Sequence, residues 1–112
     1  MPHLIIEYAA QLQSDIDVQG IVDGAFSGAD ETGLFTPRDI KVRAIPYDAF
    51  STGGTNQPFV HVEIKLLSGR TGAQKKDLAE RVFAKIIANV PDTVAVSIET
   101  NDLNRDSYTK RV

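Results

Sequence analysis

The chain has 112 residues, a formal net charge of −3 and a pI near 5.2, with 42% hydrophobic and 24% charged residues. This length suits one domain with a single core, so we expect one domain over residues 1–112. The acidic balance excludes a positive field that would attract nucleic acid or an anionic membrane, and we expect neither as a partner. The absence of cysteine excludes disulfides and thiolate metal sites.

Apolar runs fall short of the roughly 20 residues that span a bilayer, and no signal-peptide pattern opens the chain. We therefore expect a cytoplasmic protein.

The first half of the chain has the pattern of a strand, a helix and a second strand. Leu4–Tyr8 (LIIEY) is rich in β-branched and aromatic residues and predicts a strand. Asp15 and Asp17 are candidate N-caps for a helix. Apolar residues then recur with helical spacing at Val18, Ile21, Val22, Ala25, Phe26 and Ala29. Ile40–Tyr47 (IKVRAIPY) predicts the second strand.

The second half repeats this order after a turn-rich loop at Ser51–Pro58. Phe59–Leu67 alternates as a strand, and Thr71 with Gln74 predicts a capping box at the start of a helix. Thr93–Thr100 (TVAVSIET) predicts the fourth strand. The apolar stripe of the second helix, which we expect to be buried, comprises Leu78, Ala79, Val82, Phe83, Ile86, Ile87 and Val90.

Together these elements predict a two-layer α+β fold built from two consecutive β-α-β units. We expect a four-stranded sheet with both helices on one face, and parallel strands within each unit. The pseudo-repeat would cover about residues 2–48 and 58–101, followed by a polar tail at 102–112. Leu4, Ile5 and Ile6 are apolar on both faces of the first strand, which predicts that a partner subunit covers the open face.

Several short motifs, in this order and spacing, resemble the tautomerase superfamily, and within it the 5-carboxymethyl-2-hydroxymuconate isomerase family. They are Pro2-His3, IKVRAIPYDAF, FVH at Phe59–His61 and Ser68-Gly69-Arg70, and the resemblance runs from Pro2 to about Glu99. It implies a homotrimer that uses no metal or organic cofactor. It also implies a small-molecule carboxylate substrate, an unsaturated 2-hydroxy di- or tricarboxylate (a dienol) that is converted to its keto tautomer during aromatic catabolism.

Pro2 is the candidate catalytic base. Methionine aminopeptidases remove Met1 readily before a small residue, which would leave a titratable secondary amine on Pro2. Cationic neighbours and an apolar pocket lower the pKa of such an amine toward neutrality, where a proton shuttle works best. On the residues alone, Pro2 is more simply a terminal residue that tolerates processing, and it is the resemblance that favours catalysis.

Arg70 is the second candidate catalytic residue. It lies just before Thr71, where the helix dipole disfavours a cation, so it could serve an anion site together with the free N–H groups of the helix start. A solvated turn arginine is the simpler interpretation of its position. The resemblance implies that Arg70 binds a substrate carboxylate and stabilises the dienolate.

Lys41 and Arg43 are the candidate substrate-binding residues. They are two apart on one strand, so both leave the same face of the sheet, as suits a dicarboxylate. An ordinary polar sheet face remains the alternative. Family members carry arginine where this chain has Lys41, which lacks the bidentate fork, so Arg43 or Arg38 could take over the second carboxylate.

The two histidines predict no metal site, because no third ligand follows at a recognisable spacing. His61 is expected to make a structural hydrogen bond, and His3 could shape the pocket beside Pro2. The resulting interpretation is a cofactor-free isomerase of 2-hydroxymuconate-like dienols. Two alternatives stay open: the same proline chemistry on a phenylpyruvate-type enol or in a keto acid decarboxylation, and a non-catalytic binding or scaffold oligomer.

Overall fold

Four strands and two helices make up the fold of the computed structural model, which describes residues 1–111. Neither helix within that range is long and apolar enough to cross a membrane. The predicted two-layer α+β architecture with two β-α-β units is confirmed. The elements are β1 (His3–Ala9), α1 (Val18–Glu31), β2 (Lys41–Tyr47), β3 (Phe59–Leu67), α2 (Gly72–Ile87) and β4 (Ala95–Leu103).

The strands lie in the order β2-β1-β3-β4. Strands β1 and β2 are parallel, as are β3 and β4, which is the predicted pairing for a strand, a crossover helix and a second strand. The two units meet where β1 and β3 pair antiparallel, with Ile5 opposite Glu63. The N-terminus therefore begins one of the two central strands and is flanked by the start of β2 and the end of β3.

The core lies between the sheet and the two helices. Alternate residues of β1 and β3 point into it: Leu4, Ile6, Tyr8, Val60, Val62, Ile64 and Leu66 are buried. Helix α1 packs closely on α2 at Gly28, where an added Cβ would lie 3.0 Å from the Arg81 carbonyl oxygen and 3.0 Å from the Val82 Cα. Only a glycine permits this approach without a shift of the α2 backbone.

The predicted capping box of α2 is confirmed. The Thr71 hydroxyl accepts a hydrogen bond from the Gln74 amide over 3.1 Å, and the Gln74 side-chain oxygen accepts one from the Thr71 amide over 2.9 Å. The caps expected for α1 are different. Asp17 occupies the N-cap position but its side chain makes no capping hydrogen bond, and Asp15 follows the 3₁₀ turn Ala10–Ser14 instead.

Two expectations about the second half are wrong in detail. Phe83 and Ile87 were expected in the buried stripe of α2, but 39% and 46% of their surfaces are exposed, because α2 lies over the edge strand β4 and the sheet ends there. The fourth strand spans Ala95–Leu103 rather than 93–100, because its pairing with β3 continues to Leu103 opposite Leu67. The polar residues at this end of β4 hide the strand from a hydropathy pattern.

The face of the sheet away from the helices is mostly polar. Ile5 is half-buried there, so the apolar second face inferred from the first strand is real only along the middle of β1. Its neighbours on this open face form ion pairs and hydrogen bonds across the strands, among them Glu7, His61, Glu63, Lys65, Glu99 and Asn101.

Candidate active site

The N-terminus is held at the start of β1, against the 3₁₀ turn Pro37–Asp39 that precedes β2. The Met1 ammonium donates a hydrogen bond to the backbone carbonyl of Asp39 over 2.8 Å, and the Pro2 carbonyl accepts one from the Lys41 amide over 3.0 Å. The Met1 residue is only 6% exposed, and Pro2 is fully buried. The Pro2 nitrogen in this chain is an amide bonded to Met1. The fold thus brings Pro2 and Lys41, two of the predicted site residues, to the same place.

The pKa of the terminal amine is lowered from its ordinary value. Burial is the main cause, and the positive charges of Lys110 and Lys41 act in the same direction, whereas the Asp39 carboxylate opposes them. This amine belongs to Met1, and the Pro2 nitrogen follows it in the chain. The two nitrogens are one residue apart, within the roughly 3.8 Å that separates consecutive Cα atoms.

Asp39 is a centre of contacts that the sequence did not reveal. Its backbone carbonyl also accepts a hydrogen bond from Lys41 Nζ over 3.2 Å, and its carboxylate Oδ2 lies 3.6 Å from Lys110 Nζ. The other carboxylate oxygen, Oδ1, is buried and has no hydrogen-bond partner among residues 1–111. Sequence reasoning missed both residues, because Asp39 looks like an ordinary turn residue and Lys110 like part of a solvated tail.

His3 joins Arg43 to the C-terminal tail. Arg43 Nη1 lies 3.1 Å from His3 Nδ1, and His3 Nε2 lies 2.9 Å from the hydroxyl of Tyr108. Arginine can only donate, so Nδ1 must be the unprotonated nitrogen, and Nε2–H then donates to Tyr108. Burial, and after it the charge of Arg43, lowers the pKa of His3, which favours this neutral form.

Lys41 and Arg43 lie on the same face of β2, as the alternation predicts. Both are exposed, whereas Ile40 is buried and Val42 is half-buried. Arg38, the alternative for the second carboxylate, is exposed in the turn before β2. Lys41 lies beside the N-terminus, because its Nζ and the Met1 ammonium donate to the same Asp39 carbonyl. Arg43 lies one contact further away, on His3.

Arg70 lies before the first residue of α2, as predicted, but its contacts are with another loop. Its Nη2 donates a hydrogen bond of 2.8 Å to the Leu34 carbonyl, and its guanidinium lies 5.6 Å from the ring centroid of Phe35. These contacts tie the turn before α2 to the loop after α1. Within residues 1–111 they do not join Arg70 to Pro2, Lys41 or Arg43.

His61 makes the structural hydrogen bonds expected of it. Its Nδ1 lies 2.6 Å from the Ser97 hydroxyl, and its Nε2 lies 2.5 Å from a carboxylate oxygen of Glu99. The Glu99 carboxyl has a lowered pKa, first because Asn101 donates a hydrogen bond to it and then because His61 does. In the described part of the chain, no group of three or more histidine, cysteine, aspartate or glutamate side chains is arranged to hold a metal ion.

A four-stranded sheet of this topology, built from two β-α-β units, is the fold of the tautomerase class. Solved structures agree. A 5-carboxymethyl-2-hydroxymuconate delta-isomerase superimposes with a TM-score of 0.83 at 19% identity, over 100% of this chain and 88% of the other. A 5-carboxymethyl-2-hydroxymuconate isomerase from Deinococcus radiodurans R1 gives 0.82 at 19% identity, over 98% and 88%. The macrophage migration inhibitory factor-like protein of Entamoeba histolytica gives 0.76 at 15%, over 98% and 95%.

The sequence itself identifies the family. The family model of 5-carboxymethyl-2-hydroxymuconate isomerase matches residues 2–111. The chain therefore belongs to the 5-carboxymethyl-2-hydroxymuconate isomerase family, within the tautomerase superfamily, and is an isomerase. No curated protein matches it in sequence.

Proposed function

We propose that this isomerase converts a 2-hydroxymuconate-like dienol with two or three carboxylates to its keto tautomer, without a cofactor. Pro2, freed by removal of Met1, is the general base and acid. The observation that carries the proposal is the buried N-terminus beside Lys41 and Lys110, where burial and these cations lower the pKa of the Met1 amine. An amine that is partly unprotonated at neutral pH can both take up and return a proton.

In the proposed reaction the Pro2 amine takes the proton from the 2-hydroxyl group. The O–H bond breaks, the oxygen forms the C=O bond, and the electron pairs of the dienol shift along the carbon chain. The resulting ammonium returns its proton to carbon, which forms the new C–H bond and regenerates the free amine. The one proton that leaves the hydroxyl oxygen is the one that the amine returns to carbon, and no oxidant or reductant is consumed.

Arg43, Lys41 and Arg70 are proposed to bind the substrate. Arg43 and Lys41 present exposed cations on the face of β2 next to the N-terminus, and they suit the carboxylates. Arg70 is proposed to stabilise the negative charge of the dienolate. For this role its guanidinium must reach substrate from its contact with the Leu34 carbonyl.

Removal of Met1 would have a second effect besides freeing the amine. The Met1 residue is buried, so its loss vacates a buried volume directly beside the Pro2 nitrogen. A substrate bound in that volume would have its hydroxyl group within reach of the base. In this account one processing step provides both the base and the space for the substrate.

We also propose a homotrimer located in the cytoplasm. No further strand and neither of the two helices within residues 1–111 covers the open face of the sheet, and exposed apolar side chains lie at both of its edges. Ile45 and Tyr47 are exposed on β2, while on α2 Ile87 is exposed and Phe83 borders a groove of about 400 Å³ between α2 and β4. A head-to-tail contact between copies would join the two different edges and close into a ring.

Sedimentation equilibrium should give about three times the chain mass of 12.2 kDa, and a monomer mass would contradict the proposal.

The proposed activity is tested by following ketonisation of a 2-hydroxymuconate in the ultraviolet. The wild-type protein should accelerate the reaction, and Pro2→Ala and Arg70→Ala should each slow it at least tenfold, within the roughly 10²–10⁴-fold range of general acid–base catalysis. Lys76→Ala is the matched control, because Lys76 is an exposed cation of α2 that pairs only with Glu80 among the described ion pairs. Equal rates in all four proteins would contradict the proposed function and favour a scaffold.

A further inference from the structure

The C-terminal tail does not extend into solvent but folds back onto the start of the chain. After β4 it forms a 3₁₀ turn at Arg105–Ser107, in which the Asn104 side chain accepts a hydrogen bond from the Asp106 amide over 2.9 Å. Arg105 Nε donates to the Ser68 carbonyl over 2.5 Å. Tyr108 then meets His3 through the hydrogen bond and an edge-on ring contact with centroids 6.2 Å apart. The tail is thus fixed to the loop after β3 and to β1.

This anchoring delivers Lys110 to the N-terminus. Lys110 Nζ lies 3.6 Å from Asp39 Oδ2, and the backbone carbonyl of the same aspartate accepts the hydrogen bond of the terminal ammonium. The Asp39 side chain is only 17% exposed, and its Oδ1 has no hydrogen-bond partner among residues 1–111. The charge of this carboxylate stabilises the ammonium form of the amine unless a nearby cation compensates that charge.

We propose that Lys110, through its ion pair with Asp39, lowers the basicity of the N-terminal amine and so favours the free-base form that a proton shuttle needs. Lys110 is a positioning residue, since it acts on the amine through charge and not by contact with substrate. The inference rests on the proposed function only in that the amine concerned is that of Pro2 after removal of Met1.

The charges around the amine have opposing effects. The Asp39 carboxylate stabilises the ammonium form, whereas Lys110 and Lys41 stabilise the free amine, and these directions match the causes of the lowered pKa. His3, the remaining titratable group on β1 beside the amine, is neutral in its hydrogen-bonded form and adds no charge until it is protonated. Removal of Lys110 therefore withdraws one cation and leaves Asp39 without its counter-charge.

The experiment measures the titration midpoint of the Pro2 amine directly, by carbon-detected NMR of Met1-free protein that carries isotope-labelled proline. In Lys110→Met the midpoint should rise by about half a pH unit or more, and in Asp39→Asn it should fall by a similar amount. Arg111→Met is the matched control, because Arg111 is an exposed cation next to Lys110 but, among the described ion pairs, it is Lys110 that pairs with Asp39. Its midpoint should equal that of the wild-type protein.

An unchanged midpoint in Lys110→Met, or an equal rise in Arg111→Met, would overturn the inference. The double variant Asp39→Asn/Lys110→Met guards against an indirect effect of misfolding, because its midpoint should lie between those of the two single variants. A value outside that interval would also overturn it.

The failure of this inference can be told apart from the failure of the proposed function. If the midpoints move as expected but no dienol is ketonised, the charge pair is real and the proposed activity is wrong. If the dienol is ketonised but the midpoints stay unchanged, the activity stands and Lys110 has no part in it. Where both hold, the acid limb of the kcat/KM profile should move in the same direction as the NMR midpoint.

Discussion

Arg43 on β2 donates a hydrogen bond of 3.1 Å to Nδ1 of His3 on β1, and this bond fixes both side chains. His3 has to be neutral to accept it, and its second nitrogen then donates to Tyr108. The histidine beside the proposed base thus serves as the acceptor that orients a proposed carboxylate-binding arginine. Its own protonation would end that role.

The first prediction concerns the orientation of Arg43. In His3→Leu the guanidinium loses its acceptor, and KM for a dicarboxylate dienol should rise about fivefold, as expected from about 1 kcal/mol of hydrogen-bond free energy, while kcat stays within a factor of about two. His61→Leu is the matched control, because His61 lies on the same face of the sheet but bonds to Ser97 and Glu99. A KM that changes equally in both variants would show that Arg43 is not positioned by His3.

The second prediction is the effect of pH on stability. Burial and Arg43 lower the pKa of His3 from 6.5, so below that pH the unfolded chain binds more protons at this residue than the folded chain. The free energy of unfolding should therefore fall as pH decreases from about 6.5, until the folded histidine is protonated as well. The lowered pKa values of Glu31 and Glu99 act in a separate window, below their ordinary value of 4.5.

This pH dependence can be checked by urea denaturation at pH values between 7 and 5. The slope of unfolding free energy against pH should be smaller in His3→Gln than in the wild-type protein. Identical slopes would mean that the surroundings of His3 do not disfavour its charged form.

The third prediction concerns the contact between the helices. In Gly28→Ala the new Cβ would lie 3.0 Å from the Arg81 carbonyl oxygen, so α1 and α2 must move apart, and we expect a loss of about 1–3 kcal/mol in the free energy of unfolding. Gly24→Ala is the control on the same helix, since its Cβ would be no closer than 3.4 Å to any neighbour. It should be neutral or stabilise by up to about 1 kcal/mol. Thermal denaturation distinguishes the two, and equal melting temperatures would refute the tight packing at Gly28.

The fourth prediction separates two roles of Arg70. Its hydrogen bond to the Leu34 carbonyl is a structural contact, so a loss of activity on substitution has to be distinguished from a loosened turn. Thr71→Ala removes the N-cap of the adjacent helix and should cost about 1 kcal/mol of stability with kcat nearly unchanged. Arg70→Met should lower kcat at least tenfold, as expected for a lost charge at the dienolate. Similar kcat values in the two variants would leave Arg70 a structural residue.

Local periodicity predicted the order of elements because each main element buries one regular face. The alternation of Phe59–Leu67 and the capping residues before α2 gave β3 and the start of the helix directly. The exposure of Phe83 and Ile87 was not predictable in this way, because a helix pattern does not reveal how far the sheet extends beneath it. The same holds for the polar end of β4, which is a strand only because β3 pairs with it.

The candidate site was predictable only where a residue's role depends on its own strand. The shared face of Lys41 and Arg43 follows from alternation, and it is present in the structure. The contacts of the N-terminus with Asp39 and Lys110, and of His3 with Tyr108, join residues up to 105 positions apart. No local pattern records such contacts, since they depend on where the completed fold brings the two ends of the chain.

Removal of Met1 is proposed to make Pro2 the base of this isomerase. This role of Pro2 is tested most directly by producing the protein with and without inhibition of methionine aminopeptidase, verifying each form by intact mass, and comparing their rates of dienol ketonisation. The Met1-free form should be active, and the form that keeps Met1 should be slower by about a hundredfold or more, because its proline nitrogen is an amide and cannot accept the proton. Equal rates in the two forms would contradict the account.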